Sequence, residues 1–314
     1  MNAEVLVVAL GGNALLKRGE PLDACVQSAN LASAAIALSA AARDHKLVIT
    51  HGNGPQVGLL ALQNAAYREV APYPLDVLDA ETEGMIGYVL DQQLVNNLPE
   101  RHVATLLTQV VVDANDPAML TPTKPIGPAY DEQQARHLAA QRGWTMVPDG
   151  EFWRRAVPSP APLEIVELPV IRLLAMHGVI VVCSGGGGIP VVRDADGLRG
   201  IEAVIDKDAT SSLLARGLEA TQLILLTDVA GVATGWGTDH VQWLRTIAPD
   251  TLRMLDFAGG SMQPKINAVC DFVESTRRRA SIGSLDELPG ILAGHAGTTI
   301  FPDAHTSWYH QPAA

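Results

Sequence analysis

Residues 5–16 read VLVVALGGNALL, and this stretch decides the fold class. Its first six residues are all aliphatic, which predicts a strand buried on both faces, as in a parallel sheet. The strand runs directly into Gly11 and Gly12, where the absence of a Cβ lets backbone N–H groups approach an anion. Ligands of parallel sheets bind at the carboxyl ends of the strands, so the stretch predicts a binding loop at this point.

The same pattern of a strand followed by glycine occurs twice more. Residues 47–50 run into His51-Gly52-Asn53-Gly54, and residues 179–182 run into Cys183-Ser184 and four glycines. Tight turns explain most single loops of this kind, but three at predicted strand ends favour a phosphate or carboxylate site. Helices between most strands predict a parallel sheet covered on both faces. Further strands are predicted at 103–112 and 223–229, and helices at 24–43, 56–70, 82–98, 131–142, 164–177, 209–218 and 265–278.

Two segments break this alternation. Residues 113–162 contain eight prolines and many polar residues, which predicts an inserted flap rather than another strand and helix. Residues 190–193 and the stretch after Asp196-Gly197 predict a short hairpin. We expect the seam between an N-terminal lobe, 1–200, and a C-terminal lobe, 201–314, to lie there.

The composition excludes several classes of partner. The chain has 314 residues, a net charge of −12 and a pI near 5.1, with no stripe of basic residues, which argues against nucleic-acid and anionic-membrane partners. Its three cysteines are far apart, as is typical of a reducing compartment. Glu4 stands where a signal peptide would be positively charged, and no stretch reaches roughly 18 apolar residues. We therefore expect a cytoplasmic protein.

Common nucleotide and metal motifs are absent from the sequence. Neither GxxxxGK[ST] nor GxGxxG occurs at the expected places, and no cluster of His, Cys or Asp has ligand spacing, so no metal held by the protein is predicted. Glu81, Glu83 and Asp91 fall at helical spacing, and we interpret them as one solvated helix face. His51 is expected to form structural hydrogen bonds, because phosphoryl transfer to an ionised acceptor needs no base.

The lysines carry more information. Only five of the 22 basic residues are lysines, and three of the five have unusual neighbours. Lys124 lies in a PTKP segment, where two prolines stiffen the backbone. Lys207 is flanked by Asp206 and Asp208, and Asp208 is predicted to cap the helix that follows.

Lys265 follows Pro264, a residue type preferred at the first position of a helix, so its ammonium is expected beside the positive end of a helix dipole. Ammonium groups on flexible stems suit a migrating phosphoryl group, because they can follow negative charge as it spreads in the transition state. Each lysine taken alone is as consistent with a solvated surface charge. Together with the glycine loops, the three predict phosphoryl transfer between a nucleotide and a small acidic acceptor.

Taken together, these segments resemble the carbamate kinases, a branch of the amino acid kinase superfamily. The resemblance spans about residues 5–300 in collinear order. GGNA alone would indicate only the superfamily, whereas the PTKPIGP and IDKD segments point to the carbamate kinase branch. The matching stretches are VVALGGNALL (7–16), LVITHGNGPQVG (47–58), EGMIGY (83–88), PTKPIGP (122–128), CSGGGGIPV (183–191), EAVIDKDATSSLLA (202–215), LLTDV (225–229) and GSMQPK (260–265).

The resemblance implies a three-layer αβα sandwich around a mainly parallel sheet, and a homodimer. It implies that the N-terminal lobe binds carbamate or carbamoyl phosphate and that the C-terminal lobe binds ADP or ATP, with Mg²⁺ delivered by the nucleotide. Carried over to this sequence, the acceptor site would be lined by Gly11, Gly12, Asn13, Gly52, Asn53, Gly185, Gly186, Gly187 and Gly188.

The resemblance also implies roles for the charged residues. Lys124 would reach in from the flap, and Lys207 and Lys265 would neutralise the transferring and nucleotide phosphates. Asp206 and Asp208 would position Lys207. The nucleotide would be bound by Lys207, Thr227, Asp228, Val229, Met262 and Lys265.

The chain departs from the family pattern in two places. Ala230 and Ala233 stand where the family usually has an acidic residue and a tyrosine near the adenine, which leaves nucleotide affinity and base preference open. Residues 301–314 have no counterpart in the family, and we interpret them as a loose tail.

The leading hypothesis is reversible conversion of ATP and carbamate into ADP and carbamoyl phosphate. One alternative is another acid kinase of this fold, acting on acetylglutamate, glutamate or aspartate. Such acceptors need a group that binds a second carboxylate, and none is recognised near the loops. The other alternative is a non-catalytic sensor of carbamoyl phosphate or nucleotide, against which the retention of all three lysines argues.

Overall fold

A computed structural model of the chain describes residues 4–17, 19–67, 69–257 and 262–309. Within these ranges the strands are β1 (Val5–Leu10), β2 (Lys46–His51), β3 (Val103–Thr105), β4 (Gln109–Val112), β5 (Lys124–Tyr130), β6 (Thr145–Asp149), β7 (Phe152–Val157), β8 (Pro162–Ile165), β9 (Ile180–Val182), β10 (Ile189–Asp194), β11 (Gly197–Gly200), β12 (Gln222–Thr227), β13 (Ala233–Thr234), β14 (Gln242–Ile247), β15 (Arg279–Ser284), β16 (Thr298–Ile300) and β17 (Ser307–Trp308). The helices are α1 (Ala24–Asp44), α2 (Gly54–Asn64), α3 (Leu75–Asn97), α4 (Glu132–Arg142), α5 (Leu168–Met176), α6 (Lys207–Gly217), α7 (Pro249–Arg253), α8 (Met262–Thr276) and α9 (Leu288–Leu292).

A large, mainly parallel sheet forms the centre of the molecule. Its strand order is β13-β14-β16-β15-β12-β1-β2-β9-β3, and the strands from β15 to β3 are parallel to one another, whereas β16 is antiparallel to β15. Successive residues of β1 alternate between two cores, with Val7 in one and Leu6 and Val8 in the other. The uninterrupted apolar run of β1 is therefore explained by burial on both faces, as predicted.

Helices cover both faces of this sheet. Helices α5, α6 and α8 contribute Ile171, Leu214 and Phe272 to one core, whereas α1 and α3 contribute Leu38 and Leu90 to the other. The molecule is thus a three-layer αβα sandwich, which confirms the predicted fold class.

Helix α1 qualifies the expectation that no stretch could span a membrane. Among the described residues it is the one helix that is long and apolar enough to do so by length and hydropathy. A core helix passes the same test, and Leu31, Ala35 and Leu38 of α1 are buried in the core beside β1. We interpret α1 as a core helix.

The proline-rich segment 113–162 was predicted to be an inserted flap rather than another strand and helix, and the exclusion of strands and a helix was wrong. Strands β5, β7 and β6 form a separate antiparallel sheet in that order, and α4 accompanies them. Pro125 lies on β5 and Pro148 on β6, the two edge strands, where a proline costs no ladder hydrogen bond. We call residues 124–157 the insertion.

The insertion is seated on the main body through a contact between two glycines. A Cβ added to Gly58 of α2 would overlap the Cα of Gly127 on β5, and Gly127 has a φ of +76°. The backbones of α2 and β5 touch at this point, which neither residue could allow with a side chain.

Three smaller expectations are also decided. The segment 103–112 is divided between β3 in the main sheet and β4 in a second sheet, β11-β10-β4-β8, so it is not one strand. The hairpin is confirmed, because β10 and β11 pair antiparallel. The loose tail was wrong for Ser307–Trp308, which pairs with β14, and residues 310–314 lie outside the described residues.

Candidate active site

The first two glycine loops meet because β1 and β2 are parallel neighbours that end at the same edge of the sheet. Gly11 and Gly12 follow β1 and Gly52 follows β2, and the N–H of Gly52 donates to the carbonyl of Leu10 at 3.2 Å. A Cβ on Gly52 would lie 3.6 Å from the Gly12 nitrogen. Asn13 belongs to the turn Gly12–Ala14, and the surroundings of its side chain lie outside the described part of the structure.

The third loop follows β9, the next strand of the sheet, and lies against the second loop. We call the space beside the three loops the hollow. Gly186 and Gly187 have φ values of +68° and +106°, which residues with a side chain rarely adopt. A Cβ on Gly187 would lie 2.5 Å from the carbonyl oxygen of Ile205, and one on Gly186 would overlap the Asn53 amide. Glycine is required here by both conformation and space, and Gly185 and Gly188 complete the loop.

Helix α6 begins against the third loop. Thr210 Oγ1 donates to the Gly187 carbonyl at 2.8 Å, which fixes the helix to the loop. The N-cap is Asp206, whose Oδ1 accepts from the backbone N–H groups of Asp208 and Ala209 at 2.9 and 3.1 Å. The expectation that Asp208 caps this helix was therefore wrong: Asp208 lies in the first turn, and its carboxylate is free for another role.

That role is to bind two of the three predicted lysines. Asp208 Oδ1 lies 2.6 Å from Lys207 Nζ, and Oδ2 lies 3.0 Å from Lys265 Nζ. All three residues are at most 8% exposed. Lys124 reaches from the insertion to Asp206, with 2.5 Å between Nζ and Oδ2. The three lysines that are far apart in sequence thus meet at the start of α6.

Helix α8 brings Lys265 to this point. The described part of α8 starts at Met262, and Lys265 lies close to that end. The expectation that Pro264 is the first residue of the helix was wrong, because Met262 and Gln263 precede it in the helix. Both α6 and α8 therefore direct their N-terminal ends, with their partial positive charge, toward the lysines. Gly260 and Ser261 of the predicted GSMQPK motif lie outside the described residues.

The charges of this cluster do not cancel. Burial lowers the pKa of Lys207, an effect that Asp208 opposes and Lys265 reinforces. Burial alone would raise the pKa of Asp208, but the two ammonium groups lower it well below its ordinary value. With Lys124 and Asp206, the cluster carries three positive and two negative charges, and two helix ends add to the positive side. Such a site can stabilise negative charge that develops on a bound phosphate.

Beneath the loops lies a polar interior that was not predicted from the sequence. Glu83 is 1% exposed, so its interpretation as a solvated residue was wrong, and its Oε2 accepts from the Thr108 N–H at 2.8 Å. A Cβ on Gly185 would overlap the His51 ring and lie 2.9 Å from Glu83 Cγ. The signal was present in the sequence, because Glu83 shares the helical spacing of the buried residues Ile86 and Leu90.

Burial also changes the titration of these groups. It raises the pKa of Glu83 well above its ordinary value, although the hydrogen bond from Thr108 acts in the opposite direction. It lowers the pKa of His51 to about 4, although the hydrogen bond to the Gly52 carbonyl opposes this. His51 is therefore a neutral ring whose Nδ1 donates to Gly52 at 3.0 Å.

Three of the residues predicted to bind the nucleotide lie at the neighbouring strand end, whereas Lys207, Lys265 and Met262 lie on α6 and α8. Thr227 ends β12, and Asp228 and Val229 follow it. Gly11 is close to this strand, since its Cβ would lie 2.7 Å from the Leu226 carbonyl oxygen. A cavity of about 350 Å³ opens here, on the side of the sheet covered by α1. Met262 packs against the opposite core, next to Lys265.

The described residues contain no group of three or more His, Cys, Asp or Glu side chains that could hold a metal ion. At the start of α6, Asp208 is bound to two lysines, and Asp206 caps the helix and binds Lys124.

Comparison with known proteins agrees with this geometry. A sequence model of the amino acid kinase family matches residues 4–284. The chain is 52% identical to the carbamate kinase of Rhizobium meliloti (strain 1021), over 94% of this chain and 92% of that one, and 50% identical to that of Escherichia coli (strain K12), over 95% and 99%. The carbamate kinase from Giardia lamblia bound to AMP-PNP superposes with a TM-score of 0.86 at 39% identity, over 96% and 99% of the two chains.

Proposed function

The chain belongs to the amino acid kinase family, in its carbamate kinase branch, and from this premise we propose that it catalyses reversible phosphoryl transfer between ATP and carbamate. The products are ADP and carbamoyl phosphate. The observation that carries the proposal is the convergence of Lys124, Lys207 and Lys265 at the start of α6, beside three glycine loops.

The glycine loops form the acceptor site in this proposal. Gly11, Gly12, Gly52 and the loop from Gly185 to Gly188 offer backbone N–H groups to the carboxylate or phosphate oxygens, and Asn13 and Asn53 complete the site. Phosphoryl transfer requires little covalent help from the protein, because its transition state is stabilised by positioning and by positive charge.

The lysines act on the migrating phosphoryl group. The carboxylate of Asp208 bridges Lys207 and Lys265, so both ammonium groups remain near the path between donor and acceptor. Lys124 approaches from the insertion and is positioned by Asp206, whose other oxygen is fixed by the helix backbone. Charge that spreads over the equatorial oxygens is neutralised without a general base.

The nucleotide is bound by the C-terminal lobe, 201–314. Thr227, Asp228, Val229 and Met262 contact it, and Mg²⁺ enters with ATP or ADP and is held mainly by their phosphates. The AMP-PNP complex of the Giardia lamblia relative supports a nucleotide site in this fold. The N-terminal lobe, 1–200, supplies the acceptor site.

We also propose that the protein is a cytoplasmic homodimer. Helix α3 exposes four large apolar side chains on one face, and large exposed apolar stripes are typical of contact surfaces. They are Val77, Met85, Tyr88 and Val95, which are between 37% and 63% exposed.

The direct test is ATP formation from ADP and carbamoyl phosphate in the presence of Mg²⁺. We expect turnover that depends on both substrates, and we expect acetylglutamate, glutamate and aspartate to be poor acceptors in the reverse reaction. Calorimetric binding of carbamoyl phosphate without turnover by folded protein would reject the proposal and favour a sensor.

A further inference from the structure

Asn53 presents a defined polarity to the acceptor site. It precedes α2 as its N-cap residue and is 2% exposed, but its side chain makes no capping hydrogen bond. A primary amide carries two donor hydrogens on Nδ2 and an acceptor oxygen, Oδ1. The end that faces the hollow therefore decides which ligand group the residue can bind.

Both donor hydrogens of Asn53 are used beneath the loops. Nδ2 donates to Asp79 Oδ1 at 2.8 Å and to Thr82 Oγ1 at 2.8 Å. These two acceptors lie on one face of α3, where both residues are buried. The nitrogen end of the amide thus points toward the helix.

Thr82 makes this orientation obligatory. Its hydroxyl has a single hydrogen, which it donates to the backbone carbonyl of Asp79 at 2.8 Å. The hydroxyl can therefore only accept from Asn53. A flipped amide would set Oδ1 against the oxygens of Thr82 and Asp79 and would leave buried polar groups without a hydrogen bond, which is unfavourable.

The acceptor oxygen lies beside the third glycine loop. A Cβ on Gly186 would lie 2.1 Å from Asn53 Nδ2 and 2.5 Å from Oδ1, so the amide turns its face to this loop and both of its ends are close to it. No described residue donates to this oxygen. The glycine loops otherwise offer N–H donors to a ligand, so Asn53 supplies an acceptor in a site dominated by donors and by positive charge.

Carbamate needs both kinds of partner. Its carboxylate oxygens accept hydrogen bonds, whereas its amino group can only donate them. We propose that Asn53 Oδ1, oriented by Thr82 and Asp79, accepts a hydrogen bond from the amino group of carbamate or carbamoyl phosphate. This inference rests on the proposed function and assigns Thr82 and Asp79 as positioning residues that set substrate specificity.

The contrast with an isosteric substrate tests the inference. Acetyl phosphate replaces the amino group with a methyl group, which cannot donate a hydrogen bond. A site built to accept a hydrogen bond from its substrate rejects such an analogue, because the acceptor in the site is left unpaired. We expect the wild-type enzyme to have a kcat/KM for carbamoyl phosphate at least about tenfold above that for acetyl phosphate, both with ADP as acceptor. A ratio near one would overturn the inference.

Variants of Thr82 separate positioning from packing. Thr82→Val removes the hydroxyl that forces the amide orientation, and we expect it to lower the ratio of the two kcat/KM values about tenfold, chiefly through carbamoyl phosphate. Thr82→Ser keeps the hydroxyl and should keep the ratio. An equal loss with both substrates in Thr82→Val would reduce Thr82 to a structural residue and contradict the proposal.

Asn53→Ala provides a second test if Thr82→Val does not fold, as judged by its thermal unfolding. The substitution removes Oδ1 without removing a capping hydrogen bond, and it should raise KM for carbamoyl phosphate more than for acetyl phosphate. An unchanged ratio would overturn the inference. A wild-type protein without any carbamoyl phosphate turnover would instead reject the proposed function, so the two failures are distinguishable.

Discussion

Asp208 holds two ammonium groups with one carboxylate, and the arrangement is buried. Two like charges can remain close only if a shared counter-ion or a bound anion compensates them. Here Asp208 is that shared counter-ion, and substrate phosphates would add further negative charge beside both ammonium groups. The residues are thus arranged to bind an anion.

Loss of either ammonium should cost activity with little effect on binding of the smaller substrate. We expect Lys207→Ala and Lys265→Ala each to lower kcat roughly 100- to 1000-fold, as removal of a preorganised electrostatic donor does. Steady-state kinetics with ADP and carbamoyl phosphate measure this. Lys46→Ala, at the opposite end of β2, serves as the control and should keep the wild-type rate. Wild-type-like kcat in the Lys207 variant would contradict its role.

His51 should make stability depend on pH. Its pKa is about 4 in the folded protein and ordinarily 6.5, so the unfolded chain binds a proton between these values that the folded protein refuses. The stability contributed by the neutral ring is present above pH 6.5 and is lost as the pH falls toward 4, by roughly 3 kcal/mol in total.

Urea unfolding between pH 7.5 and 4.5 measures this slope. We expect His51→Asn to flatten it, whereas His177→Asn, a change at an exposed histidine, should keep the wild-type slope. Parallel slopes for wild type and His51→Asn would show that the buried ring does not titrate as inferred.

Residue types and spacings predicted much of the site, but not its depth. The three lysines and the glycine loops were found from the sequence because their local neighbours are unusual. Glu83 was assigned to a solvated face because a carboxylate in a helix is usually exposed. Its spacing with Ile86 and Leu90 indicated the buried face of the helix, but the loop that covers it follows a strand distant in sequence, so the contact with Gly185 could not be predicted.

The start of α6 links several elements. Asp206 caps the helix, receives Lys124 from β5, and precedes Lys207 in the chain. The sequence analysis assigned the cap to Asp208, because both aspartates precede the helical pattern and either can cap. The choice between them depends on a tertiary contact, because the carboxylate of Asp208 forms an ion pair with Lys265 of α8.

The contact between Gly58 and Gly127 should control the position of the insertion. We expect Gly58→Ala to push β5 away from α2, to lower the free energy of unfolding by about 1–3 kcal/mol, and to lower kcat/KM roughly 10- to 100-fold because Lys124 belongs to β5. Denaturant unfolding and kinetics measure the two effects.

Gln63→Ala, an exposed change on the same helix, is the matched control and should alter neither quantity. If Gly58→Ala kept full activity, the insertion would not depend on this contact for placing its lysine.

The insertion shows why its sequence was misread. Prolines argue against strands in the middle of a sheet, and eight of them predicted a flap rather than another strand and helix. In a sheet of three strands, two are edges, and Pro125 and Pro148 lie on those edges. Sequence spacing could not reveal how few strands the sheet has.

At the scale of the whole molecule, the exposed face of α3 predicts self-association. We expect the wild-type protein to sediment as a dimer and Tyr88→Asp to sediment as a monomer, because a charge at the centre of an apolar contact is unfavourable. Met254→Asp changes an equally apolar but separate exposed residue and should remain dimeric. A monomeric wild-type protein at micromolar concentration would contradict the proposal.

Strands β1 and β12 pair directly, from Leu6 opposite Gln222 to Ala9 opposite Leu225, so a single sheet runs through the proposed boundary near residue 200. Separating the two lobes at this boundary would expose one edge of β1 and one edge of β12, which pair with each other in the intact sheet. Neither lobe therefore has a complete sheet without the other. A recombination event that joined either half to a foreign partner would also have to recreate this seam, which favours inheritance of the entire catalytic chain as one piece.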